Sequence, residues 1–313
     1  MKAIGVTTFG GPEALQILDI EEPKAGPGEI RLRVAAATVN PVDTMVRKGL
    51  AFVSDASPPY VLGMEAAGVV DQIGEGTETE LSIGDRALAI VVTSGVHGAY
   101  AQHVVVPVAS VVRSPSQASD VEAATIPMNG LTAVMALDLL KLPTGATVAI
   151  VGAAGAVGGY AVQLAKAAGH RVIADAAPRD RALVTRLGAD VVVPRGDTFV
   201  EHVLEAAPNG VDGLLDTAGI AKQVAAVVRD NGRIVISAPG AETADERGIV
   251  TERTFVPDYA DNHAALETLR VLAEDARLTL RVAETFPFED AIEAHRTLER
   301  GGLRGRIVLR FAD

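Results

Sequence analysis

The chain contains no cysteine. That absence excludes disulfides, thiolate zinc sites, thiol nucleophiles and iron–sulfur clusters in one step. Basic residues are in deficit as well: Lys plus Arg is 28 against Asp plus Glu at 40, a net charge of −12. Such a balance argues against a nucleic-acid partner and implies a soluble, self-repelling surface. No apolar run approaches the roughly 20 residues that a membrane-spanning helix needs. The opening MKAIGVTTFG reads as a strand and a turn, not as a charged-then-apolar leader. These absences predict a cytoplasmic protein with no membrane partner.

What is present points to two domains. At 313 residues, with 48% hydrophobic and 22% charged, the chain exceeds what one hydrophobic core usually supports. Residues 1–113 carry short β-rich runs (IRLRVAAATVN, AAGVVDQIG, RALAIVV, AQHVVVPVASVV) between Gly, Pro and Asp turns. They predict a compact, mostly antiparallel barrel or sheet. From 121 to 280 helix and strand alternate. Strands are expected at 147–151, 171–174, 190–193, 211–216 and 233–237, the last entered through the turn Asp230-Asn231-Gly232. Helices are expected at 157–169, 179–187, 197–206 and 219–229. This is a doubly wound α/β pattern, with a parallel sheet and a ligand at its carboxyl edge. The remainder returns to strand, helix and strand. The predicted domains are therefore 1–120 with 281–313, and 121–280.

Within the second domain, VAIVGAAGAVGGYAVQLAK at 148–166 runs from a strand through a glycine turn into a helix. Against the dinucleotide fingerprint G-x-G-x-x-G, Ala153 replaces the first glycine while Gly155 and Gly158 keep the other two places. Gly155 lets backbone approach a pyrophosphate, and Gly158 lets helix and strand pack closely. The helix N-terminus offers N–H groups and a positive dipole end to that phosphate. A structural strand-to-helix turn is the alternative. Placement on the first strand of a βαβαβ run favours the nucleotide.

Eight stretches in order resemble the medium-chain dehydrogenase/reductase superfamily, in its zinc-free quinone oxidoreductase branch. They are AATVNPVDTMVRKG (36–49), PYVLGMEAAGVVDQIGEG (59–76), GDRALA (84–89), GAYAQHVVVP (98–107), AATIPMNGLTAVMAL (123–137), VGAAGAVGGYAVQLAKAAG (151–169), RLGADVVV (186–193) and RGRIVL (304–309). The resemblance implies a GroES-like β-rich barrel domain, a Rossmann domain and an active-site cleft between them. It implies hydride transfer from NADPH to a quinone or other α,β-unsaturated carbonyl. An enoyl reductase on a biosynthetic intermediate, or a non-catalytic nucleotide-sensing relative, are the alternatives. Where alcohol dehydrogenases of the family place zinc ligands, this chain has Asn40 and, in Gly63-Met64-Glu65, a methionine. An amide and a thioether replace the strongest ligands. No metal is expected.

The resemblance implies that Asn40 orients the nicotinamide or the acceptor oxygen; a turn residue before Pro41 is its plainer role. Asp43 is a second catalytic candidate, or a helix N-terminal stabiliser. Tyr60 is the candidate tyrosine, while His97 and His103 read more readily as packing or surface residues. Cofactor contacts are expected from Asn40, Asn129, Thr132, Gly152, Ala154, Gly155, Ala156, Val157, Gly158, Asp175, Ala176, Arg179, Thr217, Ser237, Phe255, Val256 and Arg304.

Cofactor choice is contested within the sequence. Asp175 ends the second strand, about 20 residues past the central glycine, where an acid favours NADH. Ala176 and Ala177 leave room beside the ribose, and Arg179 and Arg181 follow. NADPH is expected, with Arg179 as the favoured phosphate ligand and NADH possible through Asp175. A homodimer joined at a Rossmann sheet edge is also implied, from the region after RIVISAPG at 233–240.

Overall fold

The computed structural model describes residues 1–52, 57–244 and 246–311. The chain forms two compact units: residues 1–128, 257–276 and 280–313 make the first, and 129–256 with 277–279 the second. The expected boundaries at 120 and 280 differ at both ends. Residues 121–128 and the helix His263–Glu274 group with the first unit.

The first unit is β-rich. Its seven-stranded sheet, counted among the described residues, is centred on the long strand Glu29–Val39. That strand pairs antiparallel with Glu65–Ile73, with His103–Pro107 and with the C-terminal strand Arg306–Arg310. The last pairing closes the chain: Ile307 lies opposite Val39 and Leu309 opposite Ala37. Ile30, Leu32, Val39, Ile307, Leu309 and Phe311 share one apolar core, which is why the C-terminus returns here. AQHVVVPVASVV, read as one run, is two strands split by a 3₁₀ turn at Val108–Ser110.

The second unit is a parallel six-stranded sheet among the described residues. In spatial order its strands are Val191–Pro194, Arg171–Ala176, Thr147–Val151, Val211–Asp216, Val228–Ile236 and Val250–Arg253. The chain starts at the centre, winds outward, then crosses to the other side. The order reverses beside Thr147–Val151, the kind of switch point where sheets of this type bind ligands at the carboxyl ends of their strands. Ala149, Val151, Ile173, Leu214 and Ile234 are buried in its core, as a sheet covered on both faces requires.

Two local expectations are corrected. The helix expected at 219–229 shrinks to one turn, Ala221–Val224, and a 3₁₀ turn, Ala225–Val227. The next strand already begins at Val228, and Asp230-Asn231-Gly232 lies inside it. Asn231 takes φ 58°, and the register jumps from Val211↔Val228 to Gly213↔Arg233. The turn residues therefore bulge out of a longer strand. The second correction concerns apolar length. Residues 120–140 are long and apolar enough, by length and composition, to cross a membrane. The segment instead breaks into Asp120–Ala123 and Pro127–Leu140, and Leu131, Ala133, Ala136 and Leu140 are buried. It is a core helix.

Candidate active site

In the second unit the glycine turn follows Thr147–Val151 directly. Gly152 has φ 81°, and a Cβ there would collide with the Thr217 hydroxyl. A Cβ on Gly158 would strike the Gly152 carbonyl oxygen, so helix and turn pack as closely as the fingerprint requires. Gly155 caps the helix Ala156–Ala167, leaving the amides of Ala156 and Val157 in the first turn. Free amides at a helix start are the kind of group that can hold a pyrophosphate. Gly169, at φ 80°, ends that helix as expected.

Thr217 sits beside the turn, its hydroxyl donating to the Val151 carbonyl at 2.8 Å. Ser237 follows the next strand, with its backbone N–H on the Asp216 carbonyl at 2.8 Å. Asp216, missed in the sequence, is fully buried; its Oδ1 accepts from the Ala218 and Gly219 amides, both at 2.8 Å. Asn129 and Thr132 are buried in the first turns of Pro127–Leu140, Val256 is buried, and Phe255 is exposed.

Asp175 is placed differently from the expected ribose ligand. Its carboxylate folds inward, and Oδ1 accepts from the amides of Gly152 at 2.7 Å and Ala153 at 3.0 Å. Burial raises its pKa, which those two hydrogen bonds oppose. Arg179 projects into solvent with its Nε 3.9 Å from Asp180, and Arg181 donates to the Val192 carbonyl at 3.0 Å.

The first unit holds a separate buried polar cluster. Asn40 precedes the helix Pro41–Arg47, where proline suits the first helical position. The Asn40 amide is spent internally: Nδ2 donates to Glu65 Oε1 at 3.2 Å and Thr38 Oγ1 at 3.3 Å, while Oδ1 accepts from Arg306 at 2.7 Å. One Arg306 nitrogen, Nη2, also reaches Glu65 Oε1 at 2.8 Å and Thr38 Oγ1 at 2.6 Å. The Thr38 hydroxyl hydrogen-bonds Glu65, whose other oxygen accepts from the Met128 amide at 2.7 Å. Arg304 was the expected arginine in this segment. Its Nη1 lies on the Leu303 carbonyl at 2.8 Å, and Arg306, two residues on, enters the cluster instead.

Asp43 forms a second buried layer. It accepts from the backbone N–H of Asn40 at 2.7 Å, the backbone N–H of Gly63 at 3.0 Å and the Tyr100 hydroxyl at 3.2 Å. Burial pushes its carboxyl up to about 6 despite those donors. Tyr100 is thus the tyrosine that reaches Asp43. Tyr60 is buried in a short strand and stacked on Phe9, with ring centroids 5.3 Å apart. The Tyr100 hydroxyl is 3.4 Å from His295 Nε2, and His295 Nδ1 is 3.2 Å from Arg47 Nη1. Because arginine only donates, Nδ1 is the acceptor and Nε2 carries the proton. Burial, then the Arg47 charge, hold His295 down to about 3. His103 stands beside Asp71 at 3.3 Å as a side-chain packing partner.

Comparison with known proteins matches this architecture. Residues 26–116 match the alcohol dehydrogenase GroES-like domain, and 187–309 match the zinc-binding dehydrogenase family. A probable quinone oxidoreductase of Schizosaccharomyces pombe is 30% identical over 322 residues, 98% of this chain and 96% of that protein. The chain belongs to the quinone oxidoreductase branch of the medium-chain dehydrogenase/reductase superfamily. A solved NAD-dependent alcohol dehydrogenase superposes with TM-score 0.87 at 30% identity, covering 100% of both chains. A mycobacterial protein complexed with NADPH gives TM-score 0.86 at 27% identity, over 99% of this chain and 100% of that one. The fold is thus a GroES-like domain with a Rossmann-type sheet, and the activity is that of a nicotinamide-dependent oxidoreductase.

Zinc, which one matched family's description implies, does not fit the residues present. Asn40 offers an amide, Met64 a thioether, and the Glu65 carboxylate is already neutralised by Arg306. Among the described residues no group of three His, Cys, Asp or Glu side chains is placed to hold a metal ion. The residues fit a dinucleotide: a Cβ on Gly152 or Gly158 would collide with the turn, and the helix Ala156–Ala167 begins directly at its end.

Proposed function

We propose that the protein is an NADPH-dependent reductase of quinones or other α,β-unsaturated carbonyls that works without zinc. The observation that carries the reading is the closure of Glu65 by Arg306, Thr38, Asn40 and the Met128 amide. A carboxylate whose charge is met by a buried guanidinium, with three donors on Oε1 and the Met128 amide on Oε2, is a poor ligand for a Lewis acid. Alcohol oxidation needs an alkoxide stabilised in the site, which such a cation normally supplies. A conjugated acceptor has less need, because it delocalises the incoming charge itself. The quinone oxidoreductase relatives in the family support that acceptor class.

In this reading bound NADPH supplies the hydride. The Gly152–Gly158 turn and the Ala156 and Val157 amides hold its pyrophosphate, and Thr217 and Ser237 line the crevice at the strand ends. Asp43, accepting from the Asn40 and Gly63 backbone amides, ties the first helix to the Gly63–Glu65 segment. Reduction then consumes one NADPH and one proton per carbonyl conjugate, the proton coming from solvent.

An acceptor panel with steady-state kinetics tests the proposal. Chelator-treated enzyme is expected to oxidise NADPH with quinones or enones and to leave simple alcohols with NADP unreacted. Turnover of alcohols alone, abolished by chelation, overturns it.

A further inference from the structure

The acid at the end of the second strand does not do what its position suggests. In a dinucleotide fold a carboxylate there hydrogen-bonds the ribose hydroxyls and repels a 2′-phosphate. Here Asp175 is only 3% exposed, and its Oδ1 is held by the two amides at the head of the glycine turn. The remaining oxygen, Oδ2, faces the Arg195 Nε at 3.9 Å. Arg195 follows the neighbouring strand Val191–Pro194, and its backbone N–H donates to the Ala176 carbonyl at 3.1 Å. The two strand ends are therefore side by side. The Arg195 side chain is 58% exposed at that edge.

Three arginines compete for an anion at this edge, and their surroundings separate them. Arg181 is tied to the Val192 carbonyl. Arg179 extends away beside Asp180, 75% exposed. Arg195 alone stands over Asp175, which offsets its charge from within the fold while leaving its outer face open. A guanidinium there binds a phosphate through charge-assisted, bidentate hydrogen bonds.

We propose that Asp175 braces the glycine turn rather than binding ribose, and that Arg195 is the residue that selects the 2′-phosphate of the cofactor's adenosine half. The proposal rests on the NADPH reading above. It makes the fingerprint acid neutral in the choice of cofactor, because its charge is consumed inside the fold.

Equilibrium binding of 2′,5′-ADP and 5′-AMP, followed by calorimetry, tests it without any turnover. The unmodified protein is expected to bind 2′,5′-ADP at least tenfold more tightly than 5′-AMP. Arg195→Ala, an exposed change, should erase that ratio and keep 5′-AMP affinity within about twofold. Asp175→Ala should weaken both ligands alike, by tenfold or more. Loss of 5′-AMP alone, with 2′,5′-ADP held or tightened, would show a ribose ligand and overturn the brace. A ratio that survives Arg195→Ala, or disappears in Arg179→Ala instead, overturns the role of Arg195. An unmodified protein that favours 5′-AMP refutes the NADPH reading itself, and one that binds neither refutes the dinucleotide site.

Discussion

Glu65 and Arg306 stand 241 residues apart in sequence and meet at 2.8 Å, with side chains 0% and 5% exposed. Removing one partner of such a pair strands a buried charge, at a cost of about 3–5 kcal/mol. Arg306→Met should therefore destabilise the protein by that amount in urea unfolding. Adding Glu65→Gln should recover most of the loss, since a neutral amide no longer needs the guanidinium. Equal stability of the single and double variants would show that the pair carries no coupling.

The same cluster changes the expectation for Asn40. Its amide joins Glu65, Thr38 and Arg306, so Asn40→Ala should disturb position before it disturbs any direct contact. Turnover is expected to fall roughly ten- to a thousandfold, the range for a mispositioned site. The thermal midpoint should fall with it. A variant with unchanged turnover and a lowered midpoint would confine Asn40 to a structural role.

Acid stability should depend on His295. Its pKa is depressed from 6.5 to about 3, so the stability it contributes is full above pH 6.5 and is lost as pH falls toward 3. Asp43 has the opposite sign: raised from 3.8 to about 6, its contribution is full below 3.8 and is lost as pH rises through 6. Between pH 6 and 4 the two oppose each other. His295→Gln keeps a neutral acceptor for Arg47 and removes the histidine titration. Acidification from pH 6.5 to 4 should then cost the variant less stability than the unmodified protein, measured by urea unfolding at each pH. An identical pH profile would mean that His295 is not held neutral.

Much of the fold was legible because it is written in local patterns. The glycine turn at 152–158, the apolar strand before it and the stop at Gly169 all lie within the 23 residues 147–169. The polar clusters were not legible, because their partners come from opposite ends of the chain. Arg47 meets His295 between two helices, and Arg306 meets Glu65 through strands that both pair with Glu29–Val39, contacts that no period reveals. Tyr60 and Tyr100 look alike in sequence, and only the fold turns Tyr100 toward Asp43. The direction of the Asp175 side chain, toward the Gly152 and Ala153 amides, depends on packing that local sequence does not show. Asp230-Asn231-Gly232 carries a strong turn signal, which the neighbouring β-branched residues absorbed as a bulge.

Assembly is open to a direct check. Among the described residues Val250–Arg253 is the sheet edge that follows Val228–Ile236, and Val250 is 44% exposed. An unpaired edge generally needs cover. Pairing of two such edges is the proposed homodimer, giving twice the 32.4 kDa of one chain in sedimentation at micromolar concentration. A single species at 32.4 kDa contradicts it.

The central claim is metal-free hydride transfer from NADPH to a conjugated acceptor. Single-turnover reaction of chelator-treated enzyme with NADPH deuterated on the transferring face of C4, and an enone, tests it most directly. Mass spectrometry of the product should find one deuterium at the carbon β to the carbonyl, at the same rate before and after chelation. A product without deuterium, or transfer that stops on chelation and returns with added zinc, would contradict the account.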